Sequence, residues 1–438
     1  MGIPPIRPQP PQIRNRELPP MPFRLLAGSV GLISVILGLS CSPSSLKSVK
    51  IEAVQGGLAG PSSTANLGVL SVRWRVALFS ERGNLVREGG ESGEGKPVLQ
   101  AKSDVIDADF PVETRRQGSP AVSPDGRKVF VGGLDGTLRC LDSESGKTIW
   151  VRASGGAFDS TPVAMDEVLA AGNADGWIGL VRQSDGRTVW QHRVQGAFVG
   201  KPVFSGGQVY FMMGNDNLIA IDVASGAWKW AYKRDLPVGR FKVVGTSNPL
   251  VDGERLALGF ADGNVVLLNR ADGNPITLRN LAKSGDRFTD VDSEPVLLGG
   301  SLIVSSFSSG LFGLDPATLE EKWSLPLIGA SSPAVHGSML YLSDGESRVL
   351  AIDLASGMPV IRWVFKSEKG DLSRPVVAGR WLLVSSSVYS LIVLERASGN
   401  VVQVFNPGKG ATSAPTVAGN RLFWVSNGET LYCMDIVP

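Results

Sequence analysis

Pro202-Val203-Phe204, Gln208-Val209-Tyr210-Phe211-Met212-Met213, Gly214-Asn215-Asp216-Asn217, Leu218-Ile219-Ala220-Ile221-Asp222, Ala224-Ser225-Gly226 and Ala227-Trp228-Lys229-Trp230 follow one another in a single unit of the chain. Short runs of aliphatic, aromatic and β-branched residues alternate with Gly, Asn, Asp and Ser, which tolerate the backbone angles of hairpin turns. The unit reads as four antiparallel strands. Four short strands bury little by themselves, so such a unit needs neighbours.

The neighbours are present. A proline at the head of an inner strand recurs at Pro120, Pro162, Pro202, Pro249, Pro295, Pro333, Pro375 and Pro415, at intervals of 42, 40, 47, 46, 38, 42 and 40 residues. Periods of roughly 40 to 50 residues with strand punctuation mark a propeller. The expected fold is therefore all-β, an eight-bladed β-propeller of four-stranded blades. Asp135-Gly136, Asp175-Gly176, Asp262-Gly263 and Asp344-Gly345 fall between second and third strands, where Asp-Gly favours a tight turn; none has the Asx spacing of a calcium loop. Outer strands carry Trp150, Trp190, Trp230, Trp323 and, two residues later, Trp363, so these rings are expected to dock each blade on the next. Burying one is worth about 4 to 6 kcal/mol by area.

The last unit stops after its third strand, near Met434-Asp435, and lacks its outer strand. Leu70-Ser71-Val72-Arg73-Trp74-Arg75-Val76-Ala77 alternates like an outer strand and carries the tryptophan. It should complete the eighth blade and leave no open seam in the ring. Ser80 to Gln117 reads as a linking excursion. Cys140 and Cys433 hold the same repeat position in adjacent blades, which should keep their Cα atoms beyond disulfide reach, so both are expected to be buried free thiols.

Composition narrows the chemistry. With 53 Gly and 28 Pro in 438 residues the chain is turn-rich; 43% hydrophobic and 19% charged residues make it globular. A net charge of +2 offers no electrostatic footprint for nucleic acid. Two histidines and three cysteines leave little for a metal site or for general acid–base catalysis, so neither cofactor nor metal is expected.

The amino terminus is built differently. Residues 1 to 22 hold eight prolines in a polar mix that cannot fold alone. Leu25 to Leu39 is an uncharged apolar run of fifteen residues, short for a bilayer span and suited to a signal-peptide core. It ends in Leu37-Gly38-Leu39-Ser40-Cys41, which resembles the lipobox of bacterial lipoproteins, with Gly38 where leucine is usual. The resemblance implies acylation of Cys41. Ser42, in place of an aspartate, implies the outer membrane. Residues 1–40 are thus read as an extension and lipoprotein signal, 41–66 as a flexible tether, and 67–438 as the propeller, with Met1 and Met21 both open as the start.

The unit Asp142-Ser143-Glu144-Ser145-Gly146-Lys147-Thr148-Ile149-Trp150 resembles the pyrroloquinoline-quinone-type propeller repeat, although the vicinal cysteines and acidic cluster of the quinone dehydrogenases are missing. The chain more closely resembles lipoprotein B of the outer-membrane β-barrel assembly machinery, over signal, tether and all eight repeats. Asp286-Arg287-Phe288-Thr289-Asp290-Val291-Asp292-Ser293-Glu294-Pro295-Val296 is similar to the Asp-Val-Asp loop of that family, and Phe241-Lys242-Val243-Val244-Gly245 to its Leu-x-Leu-Arg-Gly segment, with Val244 in the arginine's place. The resemblance implies a non-catalytic scaffold, lipid-anchored on the periplasmic face of a Gram-negative outer membrane. Its partner would be the barrel subunit's periplasmic domains, met by Asp290, Asp292, Phe241, Val243, Lys242 and Arg240, with nascent outer-membrane proteins as clients. Spacing leads to the same rim: the two longest intervals are consecutive, so Tyr232 to Thr246 and Ile276 to Ser293 should stand side by side, and long loops on rigid scaffolds carry binding. A quinoprotein oxidoreductase and a surface protein- or carbohydrate-binding propeller are the alternatives.

Overall fold

The computed structural model describes residues 50–57, 68–78, 85–86, 117–234, 247–283, 286 and 288–437. Its strands form eight sheets, each with a four-stranded antiparallel blade that meanders from an inner to an outer strand. Blade 3 runs Val203–Ser205, Gln208–Met212, Asn217–Asp222 and Trp228–Lys233, as its sequence reads. The eighth blade takes Leu70–Ala77 as its outer strand, antiparallel to Thr430–Ile436, with Trp74 opposite Cys433. The expected closure is present.

Apolar side chains alternate to both faces of each blade, so the core lies between blades. Eight buried clusters fill eight junctions; the one between blades 2 and 3 gathers Ile178, Leu180, Trp190, Phe198, Phe211 and Ile219. Of the tryptophans named above, five act as docking pegs, while Trp323 is buried in the junction of blades 5 and 6 with no partner for its indole N–H among the described residues. Trp74, Trp150, Trp190, Trp230 and Trp363 each donate the indole N–H to a carbonyl of the next blade's outer turn, at Ser143, Gln183, Val223, Arg270 and Arg396, over 2.9 to 3.1 Å. Three residues beyond each carbonyl the turn has a glycine under the ring. At Gly186 (φ +71°) a Cβ would lie 2.8 Å from Trp150, so both the angle and the indole require glycine there.

Some features differ from the sequence reading. Asp344-Gly345 sits two positions earlier in its turn than the other Asp-Gly pairs, and the positive φ falls on Ser347 (58°). Within the segment read as tether, Lys50–Gly57 pairs in parallel with Val360–Lys366 of blade 6. Within the excursion, Leu85–Val86 does the same beside Thr148–Ala153 of blade 1. Outer strands offer unpaired backbone groups, and parallel addition needs only a short extended run. Cys140 and Cys433 are buried and free; burial pushes their thiols up to about 12 and about 11.

Candidate functional site on the connector rim

In an antiparallel meander, the turn between second and third strands and the connector to the next blade leave from the same end. All such segments therefore share one rim. Backbone bonds stitch them together: the carbonyls of Ala157, Ala197, Asp290, Ile328, Asp371 and Gly410 accept the N–H groups of Ala174, Gly214, Phe307, Gly345, Ser387 and Asn427 over 2.8 to 3.0 Å. The residue after several of these carbonyls plugs a blade junction. Phe158, Phe198 and Val291 do so, and a Cβ on Gly132, Gly172 or Gly259 would meet them at 2.2 to 2.5 Å.

Asp290-Val291-Asp292 is thus a structural step of the ring carrying two carboxylates. Val291 is in the junction of blades 4 and 5, its N–H bonded to the Phe260 carbonyl at 3.1 Å. Asp290 is only 1% exposed, and Asp292 is half-buried at the surface. Thr289 Oγ1 donates to the Ala261 carbonyl at 3.1 Å, and the Phe288 and Phe307 rings meet edge to face at 5.8 Å. Asp286 accepts the Lys283 N–H at 2.9 Å and the Ser309 hydroxyl, which folds the start of the connector onto the blade 5 turn.

The other long connector is anchored at both described ends. Arg234 binds Asp262 at 2.6 Å and lies over Phe260. Burial works against its charge, but the Tyr232 hydroxyl and the Asp262 carboxylate outweigh it, so its pKa is raised above the ordinary value. At the far end, Ser247 Oγ donates to the Ser293 carbonyl at 2.8 Å and accepts the Gly259 N–H at 2.9 Å. The two long connectors therefore meet at their bases. Arg240, Phe241, Lys242 and Val243 lie outside the described residues, as does Cys41.

Sequence reasoning passed over the ring of residues before the inner-strand prolines. Lys201 and Glu294 form an ion pair at 2.7 Å between blades 3 and 5, while Asn248 of blade 4 accepts the Lys201 N–H at 3.0 Å. Their position one residue ahead of Pro202, Pro249 and Pro295 was the available signal. Among the described residues no group of three or more His, Cys, Asp or Glu is arranged to hold a metal ion.

The family model described as outer membrane protein assembly factor BamB matches residues 71–182 and 135–363. The chain belongs to the BamB family. Among relatives with that name, the protein of Shewanella oneidensis is 24% identical over 304 residues, 68% of this chain and 66% of its own length. The Burkholderia pseudomallei protein is 27% identical over 77% of this chain and 89% of its own length. Among solved structures, BamB from Moraxella catarrhalis superposes with a TM-score of 0.64 at 19% identity, covering 75% of this chain and 98% of that one. The quinohemoprotein alcohol dehydrogenase of Comamonas testosteroni gives 0.59 at 14% identity, over 84% of this chain and 77% of that one. At such identity the likeness is one of fold. Membership of the BamB family makes this chain a BamB-like outer-membrane assembly factor.

Proposed function

We propose that the chain is a non-catalytic scaffold lipoprotein, anchored through Cys41 to the periplasmic face of the outer membrane, that holds the barrel subunit of the assembly machinery by its periplasmic domains. Asp292 forms the contact together with Arg240, Phe241, Lys242 and Val243. Nascent outer-membrane proteins are its clients. The observation that carries the reading is the Ser247 to Ser293 bond of 2.8 Å, which brings together the two connectors that the family resemblance also singles out. Asp290 has a different part. It is 1% exposed and its carbonyl accepts the Phe307 N–H at 2.8 Å, so an arginine there would bury a cation between blades and disturb the fold itself.

The test is a photo-reactive residue at position 292 in intact membranes, followed by identification of the captured protein. The barrel subunit should be the dominant product, and Asp292→Arg should abolish its co-purification while the unfolding midpoint stays that of the parent. A different dominant partner would refute the reading. Palmitate labelling lost in Cys41→Ser checks the anchor.

A further inference from the structure

The stitching bonds of the rim are made by main-chain atoms, so the repeat itself places few demands on the side chains at those positions. Where the connector carbonyl accepts, the other blades have Ala157, Ala197, Asp290, Asp371 and Gly410, whereas the connector into blade 6 has Ile328, 54% exposed. Where the turn N–H donates, the others have Ala174, Gly214, Gly345, Ser387 and Asn427, whereas blade 5 has Phe307. Neither large apolar side chain is needed to form the step, and leaving Ile328 in water forfeits the free energy that burial would give.

The two positions are neighbours on the rim, linked through Gly329. The Gly329 N–H donates to the Phe307 carbonyl at 2.8 Å, a Cβ on Gly329 would lie 3.5 Å from the Phe307 ring, and Phe288 meets that ring edge to face at 5.8 Å. The Ile328 carbonyl is fixed in turn by the Gly345 N–H at 2.9 Å. The patch is therefore preorganised, which reduces the ordering cost of binding. Its border is acidic on the Phe288 side, where Asp286 and Asp292 lie and Lys283 is drawn down to the Ser309 carbonyl at 3.0 Å, whereas on the Ile328 side Glu346 is paired with Arg348 at 3.0 Å. An apolar centre with a charged rim is the anatomy of a protein–protein contact.

We infer that Phe288, Phe307 and Ile328 form the binding centre of this rim, and that they receive an apolar knob bordered by Lys or Arg on the barrel subunit's periplasmic domains. The inference rests on the function proposed above and deepens it: the aspartate loop is the charged border, and the apolar patch supplies most of the binding energy.

The experiment uses full-length protein in membranes and the purified periplasmic domains of the barrel subunit from the same genome. Photo-reactive residues are placed separately at 292 and 328, and retention of the domains is measured for Ile328→Ala, Ile328→Glu and Phe307→Ser. Val189→Glu, an equally apolar exposed site on the outer strand of blade 2, is the control. Both positions should cross-link. Ile328→Ala should lower affinity several-fold and Ile328→Glu about tenfold or more, with unchanged unfolding midpoints, and Val189→Glu should bind as the parent does. Parental binding by Ile328→Glu with a persisting cross-link at 292 would overturn the patch and leave the proposed function standing. Absence of cross-links at both positions would overturn both.

Discussion

At the junction of blades 4 and 5 the peg position is Thr277, four residues after Gly273 as Trp150 is four after Gly146, and the facing turn has Leu319 instead of glycine. Leu319 is fully buried at φ 60°, its N–H bonded to the Asp315 carbonyl at 2.9 Å as Gly186 bonds Arg182 at 3.0 Å. A side chain from the turn fills the space that an indole fills elsewhere. Leu319→Gly should therefore cost about 1 to 3 kcal/mol, the cavity outweighing the relief of a left-handed angle. Adding Thr277→Trp should recover at least half in urea denaturation; strictly additive losses would refute the pairing. A second exchange occurs at blade 7, where Gln403 holds the peg position, accepting the Leu70 N–H at 2.8 Å and donating to its carbonyl at 3.3 Å. Blade 8 has no outer turn, so a side chain that binds an extended backbone replaces the indole. The tryptophan rhythm was legible in the sequence because each peg repeats alone. Its two substitutions were not, since each makes sense only against a residue in the neighbouring blade. The burial of Asp290 escaped for the same reason. Two thiols are checked more simply: with Cys41→Ser, the folded protein should resist alkylation near pH 7 and take up two equivalents on unfolding, given how far burial raises Cys140 and Cys433.

Strands were legible wherever alternation and turn chemistry coincided, which is why the fourth strand of the last blade could be sought at the other end of the chain. Lys50–Gly57 and Leu85–Val86 had no such markers, because a parallel strand added to an outer edge is recruited by backbone groups and by proximity. Removing residues 1–57 should leave the ring folded and raise amide exchange selectively along Val360–Lys366, the strand that Lys50–Gly57 covers. Exchange unchanged in that strand would argue against the pairing. Removing the outer strand of blade 8 is a heavier change. Leu70–Ala77 carries Trp74 into the junction with blade 1, and Arg73 binds Asp435 at 3.2 Å and also Glu144, which Arg421 shares. Deletion through residue 78 should expose the Thr430–Ile436 edge and produce concentration-dependent association, read by light scattering.

For the whole molecule, the ring makes every blade answer to its two neighbours, and the seam between blades 8 and 1 carries the clearest sensitivity to pH. Glu429 sits there with a buried carboxyl whose pKa is raised from 4.5 to about 7, by burial first, then by the Asp135 carboxylate, partly offset by Arg139. The folded state therefore holds this proton more tightly than the unfolded chain does. Its contribution to stability is complete below about pH 4.5 and is lost as pH rises towards 7. Glu429→Gln should raise the unfolding midpoint near pH 8 and leave it almost unchanged near pH 4.5, flattening the profile between. A variant that shifts both midpoints equally would show that the carboxyl is not the titrating group.

The chain that closes this ring also sets the order of events in its making. Leu70–Ala77 and Thr430–Ile436, which pair, are separated by some 350 residues of chain. Neither strand has its partner until the other is present, and the final blade cannot form from a chain that holds only one of them. The wheel is complete only when these two segments have met, so a chain that lacks either would keep a permanent gap at this seam, with an edge strand exposed beside it.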